Sequence, residues 1–261
     1  MKKFTKILSL ALVLAMLMGA FASCGISKEE RVAAAMAKMA SAEKADYTAN
    51  IKYKMTLESQ EQEIAMYMVV KSDLSDKENP AFYMLLEASQ GGTKATQKMY
   101  YADGYVYTDV SGQKYKAQMS YDKMMEDNET GFDFTDIFTS KKDNIDESVV
   151  IKDNGDGTLA VEIIVTKEEF SGDFSDMVKN LLDSYGLSGI TVDVSDTMFQ
   201  FTIDANNNIT KMMTIMNMSF KYQGMEVTLR YDMDFQYNPI GENFEVPVPE
   251  DPFDYITKTV Y

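Results

Sequence analysis

The sequence predicts an α+β protein that is mostly antiparallel β: one strongly curved sheet of about eight to ten strands, with two or three helices against its concave face. Three observations predict it. Most of the chain from 46 to 238 alternates apolar and polar residues with period two, so each strand has one apolar and one polar face. Tight-turn signals join these runs as consecutive antiparallel neighbours. Only two or three amphipathic segments are available to cover the apolar face, and a curved sheet wrapped around them meets both demands.

The chain opens with Lys2, Lys3 and Lys6, followed by an apolar run from Ile7 to Ala20 that only Ser9 and Gly19 interrupt. A bilayer span needs about 20 apolar residues, so this run is short, and it has the layout of a secretory signal peptide. It ends in Phe21-Ala22-Ser23-Cys24, which holds the sole cysteine of the 261 residues. The order resembles a bacterial lipobox, in which the cysteine thiol receives a diacylglycerol and the peptidase cuts just before it. An ordinary signal cut after Ala20-Phe21-Ala22, with Cys24 incidental, is the alternative. The division expected is therefore a lipoprotein signal peptide at 1–23, the lipidated Cys24 with an N-terminal helix to 45, and one domain over 46–261.

Composition narrows the function classes. Without residues 1–23 the chain carries 22 basic and 41 acidic residues, a net charge of −19. Such a surface repels nucleic acid and anionic headgroups, so no nucleic-acid partner is expected and the lipid must hold the chain at the membrane. There is no histidine, which removes the usual general base and the commonest metal ligand.

Along the chain, Ser27 to Lys44 reads as a helix. Ser27 and Glu30 have capping-box spacing, and Val32, Met36, Met39 and Ala40 form the apolar face. Ile51, Tyr53, Met55 and Leu57 then alternate with Lys52, Lys54, Thr56 and Glu58; Ile64, Met66, Met68 and Val70 repeat the pattern. Residues 80–90 and 94–101 read as strands, the first ending at Gly91-Gly92 and the second turning at Asp103-Gly104 into another. Residues 120–140 lose the alternation and read as short helices or an ordered loop, with helix starts available at Ser120 and Thr135. Strands follow at 147–153 and 157–166, then a helix over about 167–185 with Met177, Leu181, Leu182 and Tyr185 on its apolar face. Three long strands, 190–204, 208–222 and 225–238, close the pattern.

The order of lipobox, helix, strand meander, helical insertion and further strands, with the aromatic hairpin "YYADGYVYTDVSGQKYK" at 100–116 and the tail "NFEVPVPEDPFDYI", resembles the LolA/LppX-like lipoprotein group, in particular its Firmicutes lipoprotein branch. The resemblance implies a LolA-like half-barrel with helices in its concavity and an apolar cavity for acyl chains. It carries no catalytic residue over to this chain.

Other motifs have simpler readings. "DNGDGT" at 153–158 is similar to a calcium loop, but Lys152 stands where the first acid is required, so a strand-to-strand turn is expected. Met212, Met213, Met216 and Met218 could offer thioethers to copper(I). Alternation puts Met213 on the opposite face from the other three, which fits an apolar sheet face instead. Glu168, Glu169 and Asp173 are close in sequence as chance allows among 41 acids. No metal, cofactor or enzymatic activity is expected.

Two functions remain. In the first, a membrane-tethered extracytoplasmic lipoprotein on the outer face of the bacterial cytoplasmic membrane binds a lipid or other apolar ligand, with Tyr53, Met55, Met66, Met68, Leu229, Tyr231 and Met233 lining the cavity. In the second, the chain's own helices fill the concavity, and the acidic surface engages a protein or wall component.

Overall fold

The computed structural model describes residues 26–57, 60–128, 149–168, 192–222, 224–240 and 243–258. Helix α1 (Lys28–Ala40) begins as its sequence demands. The Glu30 backbone N–H donates to Ser27 Oγ at 3.1 Å, and the Ser27 N–H donates to Glu30 Oε2 at 2.8 Å. These two bonds satisfy donors that a helix start otherwise leaves bare. Val32, Ala35 and Met36 are its buried residues. Ala40, expected on the apolar face, is exposed because the helix stops there and Ala35 takes the inward position.

The strands are β1 (Lys44–Leu57), β2 (Gln60–Asp73), β3 (Ala81–Gln90), β4 (Thr93–Ala102), β5 (Tyr105–Val110) and β6 (Gln113–Gln118) before helix α2 (Tyr121–Asn128). After it come β7 (Val149–Asp153), β8 (Leu159–Val165), β9 (Val192–Val194), β10 (Thr197–Ile203), β11 (Ile209–Tyr222), β12 (Met225–Tyr237) and the short β13 (Ile256–Thr257). All belong to one open, curved sheet in the order β13-β6-β5-β4-β3-β2-β1-β12-β11-β10-β8-β7, with β9 also on β11. The sheet thus has two wings, β1–β6 and β7–β12, joined where β1 pairs β12 from Tyr47↔Tyr237 to Leu57↔Val227.

Thirteen strands among the described residues exceed the eight to ten expected. The run 190–204 breaks at Ser195-Asp196 into β9 and β10, β6 extends the aromatic hairpin, and the tail returns to add β13 in parallel to β6. The expected helices at Thr135 and 167–185 fall outside the described residues, apart from Lys167 and Glu168, which lie in a turn.

Hairpin chemistry explains the meander. Asp103-Gly104 and Ser111-Gly112 both have two successive positive φ angles, the conformation that matches strand twist in a two-residue loop. At 153–158 the acids serve their own turn: Asp153 accepts from the Gly155 N–H, and Asp156 accepts from the Thr158 N–H and hydroxyl. That segment is the strand-to-strand turn its sequence called for.

One face of the sheet, called inner here, carries the main core. Leu159, Val161, Ile163 and Val165 of β8 meet Phe199, Phe201 and Ile203 of β10, Met212, Met216 and Met218 of β11, and α1's Val32, Ala35 and Met36. Met213 lies on the outer face and is exposed. The methionine cluster is therefore split by the pleat, with three of its members in the core.

Candidate functional site: the inner face between the helices

The seven residues expected to line a cavity come together on the inner face. β1 and β12 place Tyr53 opposite Tyr231, Met55 opposite Leu229 and Ile51 opposite Met233. β1 and β2 place Met66 opposite Ile51 and Met68 opposite Ala49. Four adjacent rungs of a continuous three-strand ladder thus hold all seven, since residues opposite one another in a pair share a face. Leu229 is buried, while Tyr53, Met55, Met66, Met68, Tyr231 and Met233 are half-buried.

Among the described residues, two helices flank this field. Helix α1 packs on β7 and β11, to one side. On the other side, α2's Met124 packs with Met99 and Tyr101 of β4, joined by Phe82, Met84 and Tyr121. Between these two covered regions lies a strip of half-buried apolar residues on β12, β1, β2 and β3. Ile51, Ile64 and Leu86 belong to it by register, Leu86 lying opposite Met68. Leu86 was not among the expected residues, because "AFYMLLEA" is apolar without a break and hides its period until β2 sets the register.

The chemistry of the strip is apolar with two phenols. The Tyr53 and Tyr231 rings meet at 4.9 Å between centroids and 53° between planes. Burial pushes Tyr231 up to about 12, with Tyr53 adding to the rise, and burial also raises Tyr53. Both stay protonated at neutral pH, so the pair offers hydroxyl groups and ring faces without charge. Such a surface suits a chain-like apolar ligand with few polar atoms.

The outer face is less polar than period two predicts. Ile164, Met198 and Ile215 stand side by side on β8, β10 and β11, and Val150 and Met213 stand in the next row; all five are exposed. They border two adjoining grooves. One, of about 510 Å³, is lined by Met198, Met213 and Ile215 with Lys52, Arg230 and Asp232 among others. The second, of about 420 Å³, runs on through Met213 toward Val150 and Lys211. Charges around them pair locally: Arg230 with Asp232 at 2.9 Å and Lys211 with Asp234 at 3.4 Å. The signal for this patch was present in "KMMTIMNM", where both faces of the strand carry apolar residues.

Cys24 lies outside the described residues, two positions before Ile26, whose side chain is exposed. Among the described residues no helix is long and apolar enough to cross a membrane, and no group of three acids or cysteines is placed to hold a metal ion.

No family model matches the chain, and no curated protein matches it. Solved structures similar to it include LprF from Mycobacterium bovis, at 10% identity and a TM-score of 0.41 over 85% of this chain and 96% of that one. A DUF1329 family protein from Desulfovibrio piger is similar at 10% identity and a TM-score of 0.29, over 84% and 95%. A β-barrel-like DUF1849 protein from Brucella abortus is similar at 8% identity and a TM-score of 0.25, over 76% and 100%. Likeness at this level transfers neither family membership nor the role of any residue, so the functional reading stands on the site itself.

Proposed function

We propose that the chain is a lipid-anchored, extracytoplasmic binding protein of the LolA/LppX-like kind, tethered through Cys24 to the outer face of the bacterial cytoplasmic membrane, with a lipid or other apolar ligand held on its inner face. The observation that carries this reading is the strip of half-buried tyrosine, methionine and leucine between α1 and α2. Methionine side chains repack around ligands of different shape. Tyr53 and Tyr231 can meet a headgroup or carbonyl by hydrogen bonding. In this reading Tyr53, Met55, Met66, Met68, Leu229, Tyr231 and Met233 line the ligand site, no cofactor takes part and no bond is made or broken.

Native mass spectrometry of the mature chain from residue 25, without its lipid, tests the proposal. The expected spectrum carries an acyl-chain adduct that delipidation removes and added phospholipid or glycolipid restores. A bare chain mass that stays unchanged when those lipids are supplied sinks it.

The exposed apolar rows of the outer face favour a second reading, in which the chain docks a protein or wall partner there. Exposed apolar patches on soluble domains commonly mark interaction sites. Met213→Asp would abolish such docking and leave ligand uptake on the inner face unchanged.

A further inference from the structure

The lipid anchor and the fold together determine how the body stands on the membrane, a conclusion that rests on the Cys24 reading above. Three observations bear on it. The first is reach. Only Gly25 stands between Cys24 and Ile26, so the chain can carry the lipidated cysteine no more than about 7 Å from Ile26. The second is a lock at the start of α1. Arg31 donates from Nε to Asn207 Oδ1 at 3.0 Å and from Nη2 to the carbonyls of Gly157 and Asp204 at 2.9 and 2.8 Å. Lys28 Nζ adds an ion pair to Asp153 at 3.8 Å. The anchor therefore emerges beside the turns 153–158 and 204–208, and the helix start cannot swing away from them without breaking these bonds.

The third observation is where those turns sit. They follow β7 and β10 and precede β8 and β11, at the rim where β1 begins and β12 ends. Helix α1 is about 20 Å long, close to the four strand spacings, about 19 Å, that separate β8 from β1 along this rim. The opposite rim carries Gly91-Gly92 and Ser111-Gly112. It lies roughly 30 Å away, the length of a ten-residue strand.

The geometry points to an upright stance: the rim formed by the start of α1 and the turns 153–158 and 204–208 faces the bilayer, and the Gly91/Gly112 rim points away. Ile26, apolar and exposed, sits at the headgroup level. The other surface close to the anchor is the outer face of β7–β11. It is grooved, and Lys52, Arg230, Asp232 and Asp234 border the groove beside its apolar rows, so laying it on lipid would strip water from charged groups. Upright placement leaves them hydrated. It also puts the Met55–Leu229 rung farther from the bilayer than the Tyr47–Tyr237 rung.

Short-range quenching in vesicles tests the stance. The full lipidated chain is placed in phosphatidylcholine vesicles containing a lipid with a nitroxide on its headgroup. A fluorophore is attached at Asn206→Cys or Asn154→Cys on the near rim, Gln90→Cys on the far rim, or Asn217→Cys on the outer face. Both near-rim probes are expected to be quenched several-fold more than Gln90→Cys and Asn217→Cys. Equal quenching at both rims, or quenching of Asn217→Cys as strong as that of the near rim, overturns the stance while leaving the anchor intact. A chain that does not float with vesicles and shows no added diacylglycerol mass overturns the anchor reading, and the stance with it.

Discussion

The two wings of the sheet bury their residues by different rules. In the C-terminal wing, β8 and β10 alternate strictly: Leu159, Val161, Ile163 and Val165 are buried, as are Thr197, Phe199, Phe201 and Ile203, while the residues between them reach the outer side. In the N-terminal wing, Met99, Tyr100 and Tyr101 are buried in succession on β4. Met99 and Tyr101 face α2 through Met124, whereas Tyr100 faces the other way and packs with Tyr107 and Tyr255. The C-terminal tail supplies that second cover. It passes Lys71 with Phe244, accepts a hydrogen bond from Lys116 at the Pro252 carbonyl, and ends as β13 along β6. A strand with both faces covered loses its period in sequence, and a strand with one face covered keeps it.

The largest test of this contrast is core truncation in each wing. Phe199 is wholly buried and stacks beside Phe201 at 6.5 Å. Phe199→Ala should cost about 3–5 kcal/mol. Met124→Ala, in the smaller cluster, should cost about 2 kcal/mol. Denaturant midpoints of the two single variants and of the double variant measure both, and a double loss that departs from the sum would mean that the two wings share one core.

Next in size is the lock that joins α1 to the C-terminal wing. Arg31→Ala removes three hydrogen bonds from a charged donor and should cost about 2 kcal/mol. Arg31→Lys should recover little, because one ammonium cannot span the two turns as the guanidinium fork does.

Tyr255→Ala should loosen the tail on the N-terminal wing by about 1–2 kcal/mol, since its ring meets Tyr107 edge-on at 5.2 Å. Limited proteolysis would then cut the tail sooner, and the C-terminal wing would keep its protection. A titration sharpens the point. Burial, together with neighbouring Tyr255, pushes Tyr100 up to about 12, and burial brings Tyr231 of the other wing to about 12. Both phenols are raised, so their contribution to stability is whole below the ordinary tyrosine pKa of about 10 and is lost as pH rises through about 12. Ultraviolet titration of Tyr255→Ala should show the Tyr100 step moving down while the Tyr231 step stays.

The smallest expected effect is at the cap. Ser27→Ala should cost about 1 kcal/mol, read as a lower melting temperature with the sheet unchanged.

Much of the candidate site was legible in sequence. Tyr53 and Met55 on one strand, Met66 and Met68 on another and Leu229, Tyr231 and Met233 on a third each stood on the apolar side of a period-two run, and pairing in register brought those sides together. Leu86 stayed hidden in an unbroken apolar run, and the exposed Met198 and Ile215 of the outer face stood where polar residues were expected.

Local features follow from neighbouring residues alone: the Ser27–Glu30 cap, the Asp103-Gly104 hairpin, the turn at 153–158 and the inward faces of β8, β10 and β12. Each depends on residues within a few positions of one another, where steric preference, short hydrogen bonds and side-chain alternation act directly. The long-range partners come from tertiary packing: β1 pairs β12 from Tyr47↔Tyr237 to Leu57↔Val227, the tail covers Tyr100, and Arg31 joins Gly157 to Asn207. Those contacts link residues far apart in the chain. Local pattern is silent about them, because many strand edges and faces are equally apolar until the whole sheet has formed and left only one place for each to be buried.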